Sequence, residues 1–294
     1  MSQYLAESDI EAAAIDWLRG QEPYTYQHGS EIKRDLSKAV LEDVFGAFLQ
    51  RRYPQVPGKV LAELKQEFLY NPGADLHQRN HAFHLKLSKG ISKTWKDDTG
   101  KQHFGHFYPI AYEDVHQNEF QVVNQFTIIG KSKRIPDLII FVNGLPLVLF
   151  EFKNLFSQDA TVEAAYNQVQ HYTYQIPQLF EYNALTVVSD GQTTLHGMYS
   201  SGLEWFAAWK SIDGREVVNN GFALETLIKG LLVPERLLQY VRHYIFHEPD
   251  KGQLIKKGAK YHQFFGIQYA LQETLKSVKP YGDGRIGVVW HTTR

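Results

Sequence analysis

The spacing of apolar and polar positions changes period several times along the chain. Ile10, Ala13, Ala14, Trp17 and Leu18 recur at helical spacing and predict an amphipathic helix over 8–19, with Ser8 and Glu11 at capping-box spacing. A second helical region runs over roughly 37–70, interrupted near Tyr53-Pro54. The segment ISKTWKDDTGKQHFGHF (91–107) is polar, contains two glycines and reads as a loop or exposed hairpin. Strands are expected near 108–115 and 119–129, and a helix from about 159 to 175. ALTVVSDGQTTLHGM reads as two strands joined at the Asp190-Gly191 turn. The stretch 201–222 is irregular and marks a boundary. Beyond it LLVPERLLQYVRHYIFH (231–247) and YHQFFGIQYALQETLKSV (261–278) read as helices, before a short apolar strand, IGVVW. Helix, strands, helix, strands is the order of a mixed α/β layered fold.

One stretch departs from a plain core pattern. PDLIIFV and LPLVLFEFK flank Asn143-Gly144, a strong hairpin signal, yet they carry Asp137, Glu151 and Lys153. A two-residue loop pairing Val142 with Leu145 would set Asp137 opposite Phe150, away from the face of Glu151. A three-residue loop with Gly144 left-handed in a bulge would pair Phe141 with Leu145, placing Asp137 opposite Leu149 on the face of Glu151 and Lys153. The bulged turn is the expectation adopted. An ionised group in a strand buried on both faces costs several kcal/mol unless it is paired or metal-bound. A solvated ion pair at the strand's open end is the plainer alternative. Oxygen-only ligation suits Mg²⁺, with Mn²⁺ as a substitute, and such an ion serves hydrolysis of a phosphodiester. Lys153 would orient the attacking water and offset negative charge.

Composition narrows the choices. The 294 residues are 43% hydrophobic and 14% aromatic, enough for a sizeable core. No apolar run approaches the ~20 residues of a membrane helix, and no secretory signal opens the chain, so no membrane partner is expected. The absence of cysteine excludes disulfides and cysteine metal sites and fits a reducing cytoplasm. The thirteen histidines show no ligand spacing and read as surface or structural. A net charge of −1 argues against coating nucleic acid by charge alone.

Pro136-Asp137, thirteen residues, then Glu151-x-Lys153 is similar to the signature of the PD-(D/E)xK nucleases. NEFQVVNQF (118–126), RIPDLIIFVNGLPLVLFEFKN (134–154) and VVSDG (187–191) more closely resemble the restriction (R) subunit of type I restriction–modification enzymes. RNHAFHLKLSKGI (79–91) and LLVPERLLQYVRHYIFH extend the likeness over most of the chain. The resemblance implies a restriction-endonuclease-like mixed sheet flanked by helices over 1–230, with 231–294 as linker and truncated onset of a RecA-like motor. It implies an endonuclease acting on double-stranded DNA with Mg²⁺ on Asp137 and Glu151, in a complex with methylation and specificity subunits. Gln168 and Tyr172 look like the Gln-x-x-x-Tyr motif of type I and RecB-like nucleases, holding phosphate or fixing the carboxylates, although they could also be plain helix surface. Glu11 matches the first-helix glutamate that this superfamily often sets beside the metal, though the capping box explains it equally well. Lys131, Lys133 and Arg134 could contact phosphates or form an ordinary solvated loop. Gln263 looks like an adenine-reading glutamine, and GDGRIGVVWHTT like the strand before a phosphate loop. No G-x-x-x-x-G-K-[ST] occurs, so ATP chemistry is expected only in a longer parent of which this chain is a fragment. The rivals are a RecB-like exonuclease and a non-catalytic docking or DNA-binding module.

Overall fold

A computed structural model describes residues 6–97, 99–153, 161–250 and 253–287. In chain order the elements are α1 (Glu7–Arg19), β1 (Tyr24–His28), α2 (Glu42–Arg52), α3 (Gly58–Leu69), α4 (Leu76–Lys89), β2 (Ile91–Lys96), β3 (Gln102–Phe107), β4 (Phe120–Asn124), β5 (Ile128–Ile129), β6 (Lys133–Arg134), β7 (Leu138–Val142) and β8 (Leu145–Phe152). They continue with α5 (Val162–Gln175), α6 (Pro177–Phe180), β9 (Leu185–Ser189), β10 (Thr194–Gly197), α7 (Ala223–Leu231), α8 (Pro234–His243), β11 (Ile245–Asp250), β12 (Gln253–Gly258) and α9 (Tyr261–Ser277).

The central sheet has the order β1-β4-β7-β8-β9-β10. β1 runs parallel to β4 and β8 parallel to β9, while the other neighbours are antiparallel. This is the mixed α/β architecture expected from the sequence. β7 and β8 are buried along their whole length, because both faces of the sheet are covered. α5 lies on one face, over Val123, Ile139, Phe141, Leu149 and Val188. The opposite face presents Leu138, Ile140, Val148, Phe150 and Phe152 to a larger cluster that takes in α1–α4, α7 and α8 and reaches Phe264 and Phe265 of α9.

Several expectations require correction. The helix expected over 37–70 divides into α2 and α3 around Tyr53-Pro54, as read, but 108–115 forms no strand. Pro109 and the Asp114-capped turn at 115–117 occupy it instead. α8 stops at His243, and 245–250 pairs with 253–258 as a β-hairpin, because Ile245 turns into the core while Phe246 faces solvent. The strand expected at IGVVW lies mostly outside the described residues, as do positions 159 and 160 of the expected helix; α5 begins at Val162, behind its cap Thr161. The Ser8–Glu11 capping box does not form. α1 starts one residue earlier behind Ala6, and Asp9 reaches back to accept from the Ala6 N–H at 2.8 Å. Glu11 is thereby released from any cap role.

Candidate active site

The β7–β8 hairpin turns on two residues, not three. Val142 pairs with Leu145, and Asn143 and Gly144 both have positive φ, 53° and 79°. That conformation is the tight turn whose twist matches the strands, and Asn-Gly is its preferred sequence. The bulge sits inside β8 instead. Ile140 pairs with Val148 and Phe141 with Pro146, leaving Leu147 as the extra residue. Leu147 and Val148 therefore both point into the larger cluster. Pro146 is the local cause: it has no N–H to give the ladder, and β9 joins β8 only from Val148 onward.

The bulge shifts the register by one from that set at the turn. Leu138 pairs with Phe150, so Asp137 is level with Glu151 rather than with Leu149. Both carboxylates lie on the face covered by α5. Asp137 Oδ2 accepts from the Phe152 N–H at 2.7 Å. Lys153 Nζ donates to Glu151 Oε1 and to the Phe152 carbonyl, each at 2.8 Å. Glu151 is 2% exposed, and its Oε2 is buried without a hydrogen-bond partner. A buried carboxylate oxygen left unsatisfied is costly, and in a native fold it needs a reason.

The charges explain how unusual the site is. Burial is the largest effect on Asp137 and, opposed by the Phe152 N–H and Lys153 and aided by Glu7 and Glu11, pushes its pKa up to about 7. Burial and then the facing Asp137 push Glu151 up to about 8, against the pull of Lys153. Burial disfavours the Lys153 ammonium, but Glu151 outweighs it and holds that pKa above the ordinary lysine value.

α5 brings Gln168 and Tyr172 to the same face. Tyr172 is buried, and its hydroxyl pKa is raised by burial first and then by Glu151, while a hydrogen bond with Gln168 pulls it down. Those two residues thus stand beside the carboxylates. α1 supplies two further acids: Glu11 accepts from Asn124 Nδ2 at 2.6 Å and Gln125 Nε2 at 3.5 Å, and both Glu7 and Glu11 act on Asp137. Glu7 was missed in the sequence, where its spacing of four from Glu11 was the available sign. Among the described residues no group of three or more His, Asp or Glu is placed to hold a metal by itself.

The basic residues lie elsewhere. Lys131 Nζ stands 3.4 Å over the Tyr174 ring and Arg134 Nε bonds to Gln175, so both are tied to the C-terminal end of α5. Lys133 is exposed in β6. Gln263 is exposed at the start of α9, where its Oε1 accepts from the Lys260 N–H at 2.8 Å and caps the helix.

Comparison with known proteins gives the family. The family model for the N terminus of the type I restriction enzyme R protein matches residues 4–205. The chain belongs to this family. The type I restriction enzyme HindI endonuclease subunit of Haemophilus influenzae is 33% identical over 302 residues, covering 98% of this chain and 28% of that protein. A Methanocaldococcus jannaschii protein designated the type I restriction enzyme MjaIXP endonuclease subunit is 31% identical, covering 96% of this chain and 29% of its own length. The SauCOLORF180P endonuclease subunit of Staphylococcus aureus is 27% identical over 60% of this chain. This R-protein N terminus thus spans under a third of the curated relatives it matches most fully. Among its described residues no helix is long and apolar enough to cross a membrane.

Proposed function

We propose that this chain is the DNA-cleaving module of a type I restriction enzyme, hydrolysing phosphodiester bonds of double-stranded DNA with a divalent cation at Asp137 and Glu151. One observation carries the reading: two carboxylates level across a buried hairpin, with Glu151 Oε2 lacking a hydrogen-bond partner among the described residues, beside a half-buried lysine. Two carboxylates and no histidine is a donor set for Mg²⁺ or Mn²⁺, which complete their shell with waters and phosphate oxygens. A cation there would lower the pKa of water and offset charge growing on the phosphate.

The chain's own groups supply the rest. Among the described residues Lys153 uses two of its three N–H donors, on Glu151 Oε1 and the Phe152 carbonyl, and the third would orient water or a phosphate oxygen. Tyr172 and Gln168 stand on the α5 side of the site, where the charge of Glu151 acts on the Tyr172 hydroxyl. Lys131, Lys133 and Arg134, at the far end of α5, are candidates for the duplex backbone. On this reading site choice and methylation fall to partner subunits of the complex, and ATP-driven movement to a longer parent of this chain.

The test is Mn²⁺ binding by calorimetry on this chain, with Asp137→Ala and Glu151→Ala as comparisons. Binding that both substitutions weaken while far-UV circular dichroism is unchanged supports the reading. Binding indifferent to both removes the cation from this hairpin. Cleavage by the full-length enzyme that survives Asp137→Ala would favour the non-catalytic docking module, and digestion restricted to linear DNA would favour an exonuclease.

A further inference from the structure

The carboxylate of Glu11 is unusual in its partners. Its charge acts on Asp137, yet among the described residues neither oxygen meets a cation. Oε1 takes the Asn124 side-chain N–H at 2.6 Å, and Oε2 faces the Gln125 side-chain N–H at 3.5 Å. Asn124 is itself fixed: it is 7% exposed, and its Oδ1 accepts the Tyr26 hydroxyl at 3.0 Å, so its amide nitrogen must face α1. Gln125 has φ +51°, a left-handed conformation uncommon for a residue with a side chain. Its own backbone N–H donates to the Asp137 carbonyl at 3.3 Å. Asn124-Gln125 therefore grips Glu11 with side chains and Asp137 with backbone. Gly29 packs against the two carbonyls of this unit so closely that a Cβ there would come within 2.7 Å of each.

We propose that Asn124 and Gln125 are positioning residues, holding the Glu11 carboxylate beside Asp137 with neutral donors so that α1 contributes negative charge to the cation site. The inference rests on the nuclease reading above and deepens it. Glu7, Glu11, Asp137 and Glu151 repel one another, and a free glutamate on a helix surface would turn to water. A lysine or arginine at 124 would hold Glu11 equally well, but it would cancel the charge that attracts a cation. An amide orients the carboxylate and leaves its charge intact. The buried Glu151 Oε2, without a hydrogen-bond partner among the described residues, marks where a cation would be received. Residues that orient ligands in this way typically change metal affinity 10- to 100-fold when replaced.

Mn²⁺ calorimetry on the chain, with circular dichroism as the folding control, tests this through a double-mutant cycle. Asn124→Ala and Glu11→Gln should each weaken binding by about tenfold or more, and the double variant should bind no more weakly than Glu11→Gln alone. Tyr26→Phe removes one hydroxyl from a partly exposed ring, and should weaken binding severalfold in the Glu11 background only; it serves if Asn124→Ala does not fold. Wild-type affinity in Asn124→Ala or Tyr26→Phe, or effects that add fully to Glu11→Gln, overturns the positioning role. If Asp137→Ala abolishes binding meanwhile, the nuclease reading stands without it. Binding that ignores Asp137→Ala, or none in the wild type, overturns both.

Discussion

Asp137 and Glu151 stand level with one another, one residue beyond the Leu138–Phe150 rung, because β8 takes its extra residue at Leu147. Burial first raises both pKa values, to about 7 and about 8; the facing Asp137 adds to the rise at Glu151, and Glu7 and Glu11 add to that at Asp137. In the unfolded chain these groups ionise near 3.8 and 4.5. Between those values and 7–8 the native state holds extra protons, so the stability the pair contributes is complete below about pH 4 and is lost as pH rises through 8. Glu151→Gln should therefore be more stable than wild type at pH 8 by about 1–3 kcal/mol, with the gap closing toward pH 4.5. Urea unfolding at both pH values measures it. Mn²⁺ should stabilise the wild type and leave the variant nearly unmoved. Parallel pH profiles for the two proteins would refute this account.

Lys153→Met should separate cleavage from cation binding. The ammonium is anchored to Glu151 and to the Phe152 carbonyl, so its removal takes away a fixed positive charge without removing a metal oxygen donor. DNA cleavage by the full-length enzyme should fall by about 10²- to 10³-fold. Mn²⁺ affinity of this chain should hold or rise, since a competing cation has gone. Lys153→Arg should not rescue cleavage, because a planar guanidinium cannot occupy the compact position of an ammonium. Loss of Mn²⁺ binding in Lys153→Met would show the lysine to be structural.

How much of this was legible in the sequence differs from residue to residue. The hairpin was readable, since β-branched and aromatic runs around Asn-Gly admit few alternatives; the face shared by Asp137 and Glu151 came out as expected, but through a bulge at Leu147 and not in the turn. The register was not: Pro146 was the available sign that the ladder would be interrupted inside the strand. Ser8–Glu11 and Ala6–Asp9 are overlapping N-terminal patterns two residues apart, and only the docked helix decides between them. Glu7, Asn124 and Gln125 join the site because α1 packs on β4, a contact between segments more than a hundred residues apart. β11 was hidden because Tyr244 and Ile245 continue the helical spacing of α8 into the same core.

The turn itself offers a stability test. Gly144 has φ +79°, and a Cβ there would lie 2.4 Å from the Leu41 carbonyl and 3.1 Å from the Phe45 nitrogen. Its own carbonyl accepts the Leu41 N–H at 2.9 Å, which ties the turn to the start of α2. Gly144→Ala should cost about 1–3 kcal/mol, from backbone strain and the forced separation of turn and helix. Chemical denaturation checks it. An unchanged midpoint would mean that the turn and α2 move apart freely.

The acid limb of stability should come from a different corner of the molecule. Lys256 and His247 face one another across the β11–β12 hairpin, which packs on α4, and the His247 ring lies 4.6 Å from that of His81 and 5.3 Å from that of His84. The Lys256 ammonium is 2% exposed and donates to the Asn183 carbonyl at 2.7 Å. Burial, then Lys256, lowers His84 to about 3 and His247 to about 2, and burial alone brings Lys256 down to about 7. Unfolded histidine takes up its proton near 6.5, so the stability of these neutral rings is present above that pH and lost as pH falls. Each should contribute a slope of up to about 1.4 kcal/mol per pH unit below 6.5. This runs against the slope of the Asp137–Glu151 pair, so the measurement belongs in a Glu151→Gln background. There His247→Leu should flatten the decline between pH 6.5 and 4.5, and Lys256→Met should raise stability at pH 7, where the unfolded lysine binds its proton more readily than the native one. If His247→Leu leaves the acid decline as steep as before, the decline arises outside this cluster.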